Sequence, residues 1–509
     1  MGTVVYSRAP TGPRRLQIFV GDFGARAARP IAFTLDGRAV APTALRPLSS
    51  VRGPQHGAQP NAPRAFVGVY EFRDLEPGRL YRVGVRVGDQ ERRLDSRVLP
   101  DRVAPDADGG FDVMLSSCFY RDESSSGQLS RALRQLVASV RPKRGGGRSP
   151  DLALLMGDQV YLDLPTLKNF PDELPWLAAR FEENYRQNWE GSLAELLGTA
   201  PSACLPDDHE YWNNAPHASP QIGNSHSAGG RRRWLEAARA SYEAFAKPHV
   251  DPALALAGAA NGAAANGDAV EQPLVIDVHP LSFFLADGRS RRDEGRAYAF
   301  TPACRAALRA WVDRLNATGR VGVFVSGQSL VHDPASRVGG SLADWEMPNY
   351  GDYAQVLGEL GRAQRRMLWL TGDVHWGRVC TLENRSGEPR VQEVVVSPLS
   401  LVSTVGVDTI KEGWGWLRGI FGRDDPWPRH SKASNPPGEL RLGNSVDARH
   451  RARVATRADG KPAQLIGNQL GLLSFDWTRG QLRASVTYFP VHEKITAPVR
   501  VPLFTTSIV

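Results

Sequence analysis

The stretch Pro150-Asp-Leu-Ala-Leu-Leu-Met-Gly-Asp-Gln-Val-Tyr161 contains a short apolar run that ends in a glycine and an aspartate. Leu152–Met156 is apolar throughout, which is typical of a strand that is buried on both faces of a sheet. Asp158 comes directly after this strand, and ligands of open α/β sheets bind beyond the carboxyl ends of the strands. An ordinary turn is the alternative interpretation, because Gly-Asp is common turn chemistry. Asp158 is therefore a candidate functional residue at the end of a predicted central strand.

Three other stretches repeat this pattern of a short apolar run followed by polar side chains. They are residues 111–118, which end in Cys118, residues 203–210, which end in Asp-Asp-His-Glu, and residues 367–375, which end in Gly-Asp-Val-His. All of these side chains bind metals through oxygen, nitrogen or sulfur. Because the carboxyl ends of parallel strands share one edge of a sheet, the sequence predicts that the four strand ends meet at one site.

Composition limits the class of protein. The chain has 509 residues, of which 41% are hydrophobic and 23% are charged, so we expect a soluble globular protein with two domains or one large decorated domain. A net charge of +8 favours anionic substrates, but it is too diffuse to indicate nucleic-acid binding. The four cysteines are scattered, so we expect no disulfide.

Targeting signals are not apparent in the sequence. No apolar run approaches the length that spans a bilayer, which predicts that there is no transmembrane anchor. The first residues lack the basic and apolar regions of a secretory signal. The sequence as given predicts a cytoplasmic protein, or an extracytoplasmic one if a leader has been removed. The oligomeric state is left open.

Two regions of the sequence differ in the secondary structure that their patterns predict. Residues 1–108 contain short strands between Pro and Gly turns, which predicts an N-terminal β-sandwich domain. Its Leu75-Glu-Pro-Gly-Arg-Leu-Tyr-Arg-Val83 segment resembles an immunoglobulin or fibronectin type III module. Residues 109–509 alternate strands with helical patterns, such as 129–140, 234–245 and 303–315. Residues 252–272 are rich in Ala, Gly and Asn and are expected to form a low-complexity insertion. Residues 411–463 show no clear helical or strand periodicity of apolar residues.

The strand-end residues resemble the signature blocks of PhoD-type alkaline phosphatases, which belong to the calcineurin-like metallophosphoesterase superfamily. The blocks are Ser117-Cys118, Gly157-Asp-Gln-Val-Tyr161, Asp207-Asp-His-Glu210 and Gly372-Asp-Val-His375. They come in the order of the family and span about residues 110–380. Leu285-Ala-Asp-Gly-Arg-Ser-Arg-Arg-Asp293 resembles a further block that lies near the phosphate in the family. The resemblance implies an α/β fold in which the N-terminal sandwich precedes a metallophosphoesterase α/β-β sandwich with helices on its outer faces.

The resemblance also implies a di- or trinuclear metal centre. One ion would take Cys118, Asp158, Tyr161 and His375, and the thiolate and phenolate suit Fe³⁺. The second ion would take Asp158, Asp208 and Asp373, a carboxylate-rich set that suits Ca²⁺, with Mg²⁺, Mn²⁺ or Zn²⁺ as alternatives. Gln328 stands roughly where the wider superfamily has a metal-binding histidine, so the second coordination set is incomplete. Cys118 taken alone also fits a buried strand residue.

The predicted activity is that of a metal-dependent phosphoester hydrolase, an alkaline phosphatase or phosphodiesterase that acts on small-molecule or polymeric esters. A metal-bound hydroxide would attack phosphorus in line, at a centre held by Asp158 and Asp208. His209 would protonate the leaving oxygen, and Arg289 and Arg292 would bind the phosphate. Both arginines also fit salt-bridged surface residues. One alternative is a phosphodiesterase specialised for nucleotide, lipid or polymer substrates, and another is a non-catalytic protein that binds sugars or partners.

Overall fold

The computed structural model describes most of the chain. The described residues are 2–10, 12–52, 64–105, 108–121, 127–143, 145–164, 171–191, 193–220, 222–249, 273–332, 344–384, 386–400, 439–440, 450–457, 460–465, 467–491 and 497–507. The predicted insertion at 252–272 lies outside these residues, as does most of the region 411–463. No helix among the described residues has both the length and the apolar character needed to cross a bilayer.

The described residues of the N-terminal region form eight strands in two sheets. The strands are β1 (Gly2–Arg8), β2 (Leu16–Ala25), β3 (Ile31–Leu35), β4 (Arg38–Val40), β5 (Thr43–Ser50), β6 (Arg64–Phe72), β7 (Leu80–Val87) and β8 (Gln90–Arg97). One sheet has the order β4-β3-β7-β8, and β1, β2, β6 and β5 are neighbours in the other. Alternate residues of β2 and β7 point into a shared apolar core, in which Ile18 and Val83 are fully buried. The described residues of this region therefore form β-strands in two sheets that share an apolar core.

Three parallel strands, separated in sequence by helices, begin at Phe111. The elements in chain order are β9 (Phe111–Ser116), α1 (Gln128–Ser139), β10 (Leu152–Met156), α2 (Leu174–Glu190), α3 (Leu193–Leu197), β11 (Ser202–Leu205) and α4 (Ala228–Phe245). Strand β10 lies between β9 and β11, and all three run parallel. A single residue pair, Arg8 with Ser202, joins β11 to β1, so the N-terminal strands continue this sheet through a narrow connection.

A second mixed sheet follows. Its elements are β12 (Leu274–Val278), β13 (Leu281–Leu285), α5 (Pro302–Thr318), β14 (Val321–Val325), α6 (Tyr353–Gly361), β15 (Met367–Thr371), β16 (Gly377–Asn384), β17 (Pro389–Val395), β18 (Glu439–Leu440), β19 (His450–Val454) and β20 (Gln464–Leu465). Strands β12 and β13 form an antiparallel pair, and β13, β14 and β15 run parallel. The last strands, β21 (Gln469–Thr478), β22 (Gln481–Pro490) and β23 (Val499–Ser507), return to the first sheet beside β9.

The two sheets pack face to face, with helices on their outer faces. Leu154 of β10 lies in the core shared with the second sheet, whereas Leu155 packs among residues of α1, α2 and α4. On the far side, Phe324 of β14 and Trp369 of β15 pack against α5 and α6. The prediction that Leu152–Met156 is a strand buried on both faces is therefore confirmed, and the fold is a mixed α/β fold.

Candidate active site

The four strand ends singled out from the sequence lie on the described part of this framework. Cys118 follows β9, Asp158 follows β10, Asp208 follows β11 and Asp373 follows β15. Strands β9, β10 and β11 present their carboxyl ends at the same edge, and β15 belongs to the facing sheet. Oxygen and nitrogen atoms of Asp158, Asp208 and His209 lie within 4.8 Å of one another, and so do those of Asp207, Asp208 and Asp373. Asp208 belongs to both groups, so they form one continuous cluster.

The backbone at these strand ends is strained. Cys118, Asp158, Asp373 and His375 have φ values of 54°, 56°, 59° and 58°, in the left-handed region that side chains other than glycine rarely adopt. Each such residue costs about 1–3 kcal/mol and persists only where surrounding structure holds it. Such outliers gather at functional sites, so their presence at four candidate ligands indicates that the loops are shaped to aim these side chains.

Cys118 and Asp158 are in direct contact. The Cys118 Sγ lies 3.4 Å from an Asp158 carboxylate oxygen and accepts a hydrogen bond of 3.2 Å from the Ser397 hydroxyl. The same hydroxyl oxygen accepts a hydrogen bond of 3.2 Å from the backbone N–H of His375. Burial and the nearby carboxylates of Asp158 and Asp373 raise the pKa of the Cys118 thiol well above its usual value. Ser397 therefore connects two candidate ligands, and sequence reasoning missed it.

Tyr161 packs against His209. Its ring centroid is 4.2 Å from that of His209, and its buried hydroxyl has no hydrogen-bond partner among the described residues. Burial and the charges of Cys118, Asp158, Asp208 and Asp163 raise the pKa of this phenol well above its usual value. A buried hydroxyl without a partner is costly, which fits a group that binds something from outside the chain.

His209 is held by a carboxylate that the sequence analysis did not single out. Its Nδ1 lies 2.8 Å and 3.0 Å from the two carboxylate oxygens of Asp163, which is fully buried and also accepts a hydrogen bond from the backbone N–H of Asn213. Burial alone would lower the pKa of His209, but the carboxylates of Asp163, Asp208 and Asp158 outweigh it and raise that pKa well above its usual value. Asp163 lies two residues after Tyr161, so the end of the Gly-Asp block was the signal for it.

Glu210 fixes the loops that carry the carboxylates. One of its oxygens accepts the backbone N–H groups of Asp158 at 2.8 Å and Asp207 at 2.7 Å. The other accepts those of Gln159 at 2.6 Å and Val160 at 3.3 Å. The side chain is fully buried. Sequence reasoning noted Glu210 as a third carboxylate but gave it no role, because its backbone donors at Asp158, Gln159 and Val160 lie in another loop, about 50 positions away, and cannot be read from spacing.

The two predicted phosphate-binding arginines differ in how their donors are used. Arg289 is buried between Asp207 and Asp344, with its Nε 2.7 Å from Asp207 and its Nη2 2.8 Å from Asp344, and its Nη1 donates to the carbonyl of Ala215. Its guanidinium is thus engaged within the chain. The Arg292 Nε donates to Gly288 and its Nη2 to Gln328, while its buried Nη1 has no partner among the described residues.

Asp207 is a further candidate ligand that the sequence analysis passed over in favour of Asp208. One of its carboxylate oxygens accepts from Arg289, and the other is buried without a hydrogen-bond partner in the described part of the chain. Burial raises the pKa of Asp207 to about 6, although Arg289 opposes this effect. Gln328, which stands where a histidine was expected, bonds Asp344 at 2.7 Å instead.

Comparisons with known proteins add little to this geometry. No protein-family model matches the chain, and no curated protein matches it. Among solved structures, an amylomaltase from Corynebacterium glutamicum is 11% identical with a TM-score of 0.15, over 72% of this chain and 55% of that one. A mutant pullulanase from Paenibacillus barengoltzii in complex with maltotriose is 10% identical with a TM-score of 0.11, over 74% and 49%. The chain spans about half the length of these structures, and similarity at this level carries no inference.

Proposed function

We propose that this chain is a metal-dependent phosphoester hydrolase of the PhoD type. In this proposal residues 1–108 are an immunoglobulin- or fibronectin-like sandwich, and residues 109–509 are a metallophosphoesterase domain. The observation that supports it best is the cluster at the strand ends, where Asp158, Asp208 and Asp373 belong to groups of ligand atoms within 4.8 Å of one another. Two packed sheets with outer helices are also what the family resemblance implies for the catalytic domain.

The donor set fits metal ions. Burial raises the pKa of Asp158 and of Asp373 well above their usual values, and the surrounding carboxylates act in the same direction. Cations relieve both effects, because they attract the ionised carboxylates and replace the lost water. The buried hydroxyl of Tyr161 and the second oxygen of Asp207 also have no partner among the described residues. Such unsatisfied groups fit a site that is completed by ions.

The residues divide into two proposed coordination sets. Cys118, Asp158, Tyr161 and His375 would hold one ion, for which Fe³⁺ suits the thiolate and phenolate. Asp158, Asp208 and Asp373 would hold a second, for which Ca²⁺ is proposed, with Mg²⁺, Mn²⁺ and Zn²⁺ as alternatives. Bound metal ions would activate water and neutralise the phosphoryl oxygens.

The chain's own side chains supply the remaining chemistry. Asp163 orients the His209 ring through Nδ1 and favours its protonated form, so Nε2 carries the proton that the leaving oxygen needs. The Arg292 Nη1 is the buried N–H that remains to bind a phosphoryl oxygen. Glu210 holds the loop backbone and keeps the Asp158 and Asp207 carboxylates in place. Arg289 would act indirectly, because its guanidinium pairs with Asp207 and Asp344 and is not available to bind the phosphate.

A phosphodiesterase acting on nucleotides, lipids or polymers is the nearest alternative, since the same centre cleaves monoesters and diesters. A non-catalytic sugar- or partner-binding protein would have no need of the acid–base pair of His209 and Asp163. The orientation of that pair within hydrogen-bonding distance therefore favours an enzyme.

The test is the variant Asp158→Ala, with Asp95→Ala as the control because Asp95 is exposed in the N-terminal region and pairs only loosely with Arg82, at 3.6 Å. Elemental analysis should find metal in the wild-type protein and in the control, and both should hydrolyse p-nitrophenyl phosphate or bis(p-nitrophenyl) phosphate. The relative rates on the two esters separate monoesterase from diesterase. Asp158→Ala should lose both metal and activity, and a variant that kept its metal content and its rate would refute the site assignment.

A further inference from the structure

The loop that follows strand β14 packs against the candidate metal ligands. A Cβ added to Gly327 in this loop would lie 3.0 Å from the Cγ atom of Asp207. The Gly327 carbonyl also accepts a hydrogen bond of 3.1 Å from the backbone N–H of Gly372, which follows β15. Gln328 is the next residue of the loop, so its buried side chain begins beside the candidate site.

Gln328 joins two charged groups of opposite sign. Its Oε1 accepts a hydrogen bond from the Arg292 Nη2, and its Nε2 donates to Asp344 at 2.7 Å. Burial opposes ionisation of Asp344, but Arg289 and Arg292 outweigh it and hold the pKa of this carboxyl below its usual value. An arginine only donates and an ionised carboxylate only accepts, so a side chain between them needs both an acceptor and a donor. The amide of Gln328 provides both, which fits a role in orienting Arg292.

Tyr350 supports the face of the same guanidinium. The Arg292 Cζ lies 4.8 Å from the centre of the buried Tyr350 ring, within the range of a cation–π contact. The Tyr350 hydroxyl oxygen is 3.1 Å from the Nε2 of His217, which anchors the ring. Burial lowers the pKa of His217 to about 4, so this imidazole is neutral near pH 7 and adds no second cation beside Arg292.

These contacts leave one N–H group of Arg292 for a ligand. Its Nε donates to the Gly288 carbonyl at 2.8 Å and its Nη2 to Gln328, whereas its buried Nη1 has no hydrogen-bond partner in the described part of the chain. We infer that Gln328 and Tyr350 are positioning residues that hold the Arg292 guanidinium so that its Nη1 binds a phosphoryl oxygen; this inference rests on the proposed phosphoester hydrolase activity. A guanidinium that is already fixed loses little conformational freedom when it binds the oxyanion.

Gln328→Met tests the inference, because methionine has a similar length but makes neither hydrogen bond. The measured quantity is the Kd of inorganic phosphate, obtained by calorimetric titration of the purified protein. We expect Gln328→Met to raise this Kd by about tenfold, in line with the loss of one hydrogen bond to a charged group. Gln392→Met is the matched control, since Gln392 is a buried glutamine of β17 that bonds Leu503 and Thr381, and it should leave the Kd unchanged.

A double variant separates positioning from a general structural role. If Gln328 acts through Arg292, Gln328→Met should cause no further loss of phosphate affinity in an Arg292→Met background. Tyr350 provides an independent pair of variants, which decides the matter if Gln328→Met does not fold. Tyr350→Phe keeps the ring and should bind phosphate as the wild type does, whereas Tyr350→Leu should bind it several-fold more weakly. Additive losses in the double variant, or equal affinities of the Phe and Leu variants, would overturn the inference.

Ester hydrolysis, measured separately, distinguishes this inference from the proposed activity. If the wild-type protein hydrolyses neither p-nitrophenyl phosphate nor bis(p-nitrophenyl) phosphate, but phosphate binding depends on Gln328 and Arg292 as described, the positioning role stands and the proposed activity fails. If the esters are hydrolysed and Gln328→Met leaves the Kd of phosphate unchanged, the positioning role is overturned and the activity stands. The absence of phosphate binding by the wild-type protein would also overturn the inference.

Discussion

Replacement of Glu210 by Gln tests whether the loops that follow β10 and β11 are held by one buried carboxylate. The two oxygens of Glu210 accept four backbone N–H groups, at 2.8 and 2.7 Å on one oxygen and at 2.6 and 3.3 Å on the other. Burial raises the pKa of Glu210, but both oxygens face only N–H donors, so a proton on either would meet another donor. The site therefore fits the ionised carboxylate, and an amide cannot replace it.

The size of the effect follows from the contacts that are lost. Glutamine keeps one acceptor oxygen and turns an NH₂ group toward two backbone donors, so Glu210→Gln removes two hydrogen bonds to a charged group. Each is worth about 1.5–3 kcal/mol, and the two donors remain buried without partners. We expect the free energy of unfolding to fall by about 3–6 kcal/mol, which is a large share of the ~5–15 kcal/mol stability of a typical protein.

Urea unfolding followed by circular dichroism measures this change. The control is Glu91→Gln, because the salt bridge between Glu91 and Arg93 is exposed and should contribute at most about 1 kcal/mol. Glu210→Gln should also bind metal more weakly, since the backbone N–H groups of Asp158 and Asp207 lose their acceptor. If Glu210→Gln lowers the free energy of unfolding as little as Glu91→Gln does, other groups hold the loops and this reasoning is refuted.

Two further predictions concern the proposed chemistry. In the iron-loaded protein, Tyr161→Phe should remove a visible charge-transfer band, because a tyrosinate bound to ferric iron absorbs visible light; an unchanged absorption spectrum would exclude Tyr161 as a ligand. Asp163→Asn and His209→Ala should each lower kcat on an alkyl phosphate by ~10²–10⁴-fold with metal content unchanged, since general acid help is lost. The loss should be smaller on p-nitrophenyl phosphate, whose leaving group hardly needs a proton, and equal losses on the two esters would indicate a structural role.

The strand ends could be predicted because their signals are local. A short apolar run followed by Gly-Asp predicts both the buried strand and the functional residue that follows it, as at Leu152–Met156 and Asp158. The alternation of Leu154 and Leu155 between two cores is what a strand buried on both faces requires. Helix α2 (Leu174–Glu190) was not predicted. It begins with a proline in its first turn, which as a local signal also fits a loop.

The supporting residues could not be predicted because their partners are distant in sequence. Arg289 contacts Asp207 and Asp344, which are 82 and 55 positions away in the sequence, and only the folded chain brings them together. Its motif therefore suggested phosphate binding, whereas its guanidinium is engaged within the chain. Ser397 contacts Cys118 across 279 positions in the same way. Spacing identifies residues that share a loop, but not residues that share a site.

The backbone strain and the buried charge at the site together support the proposal that it binds cations. Backbone strain at Asp158 and Asp373 costs free energy, and so does the burial of their carboxylates beside Asp208. Arg289 pairs with Asp207 and leaves Asp208 close to both Asp158 and Asp373. A fold that needed these residues only for stability would lose little by replacing them with uncharged ones. A site built to hold cations needs both the charge and the unusual backbone, since the strain aims the carboxylates and the bound ions would offset their repulsion.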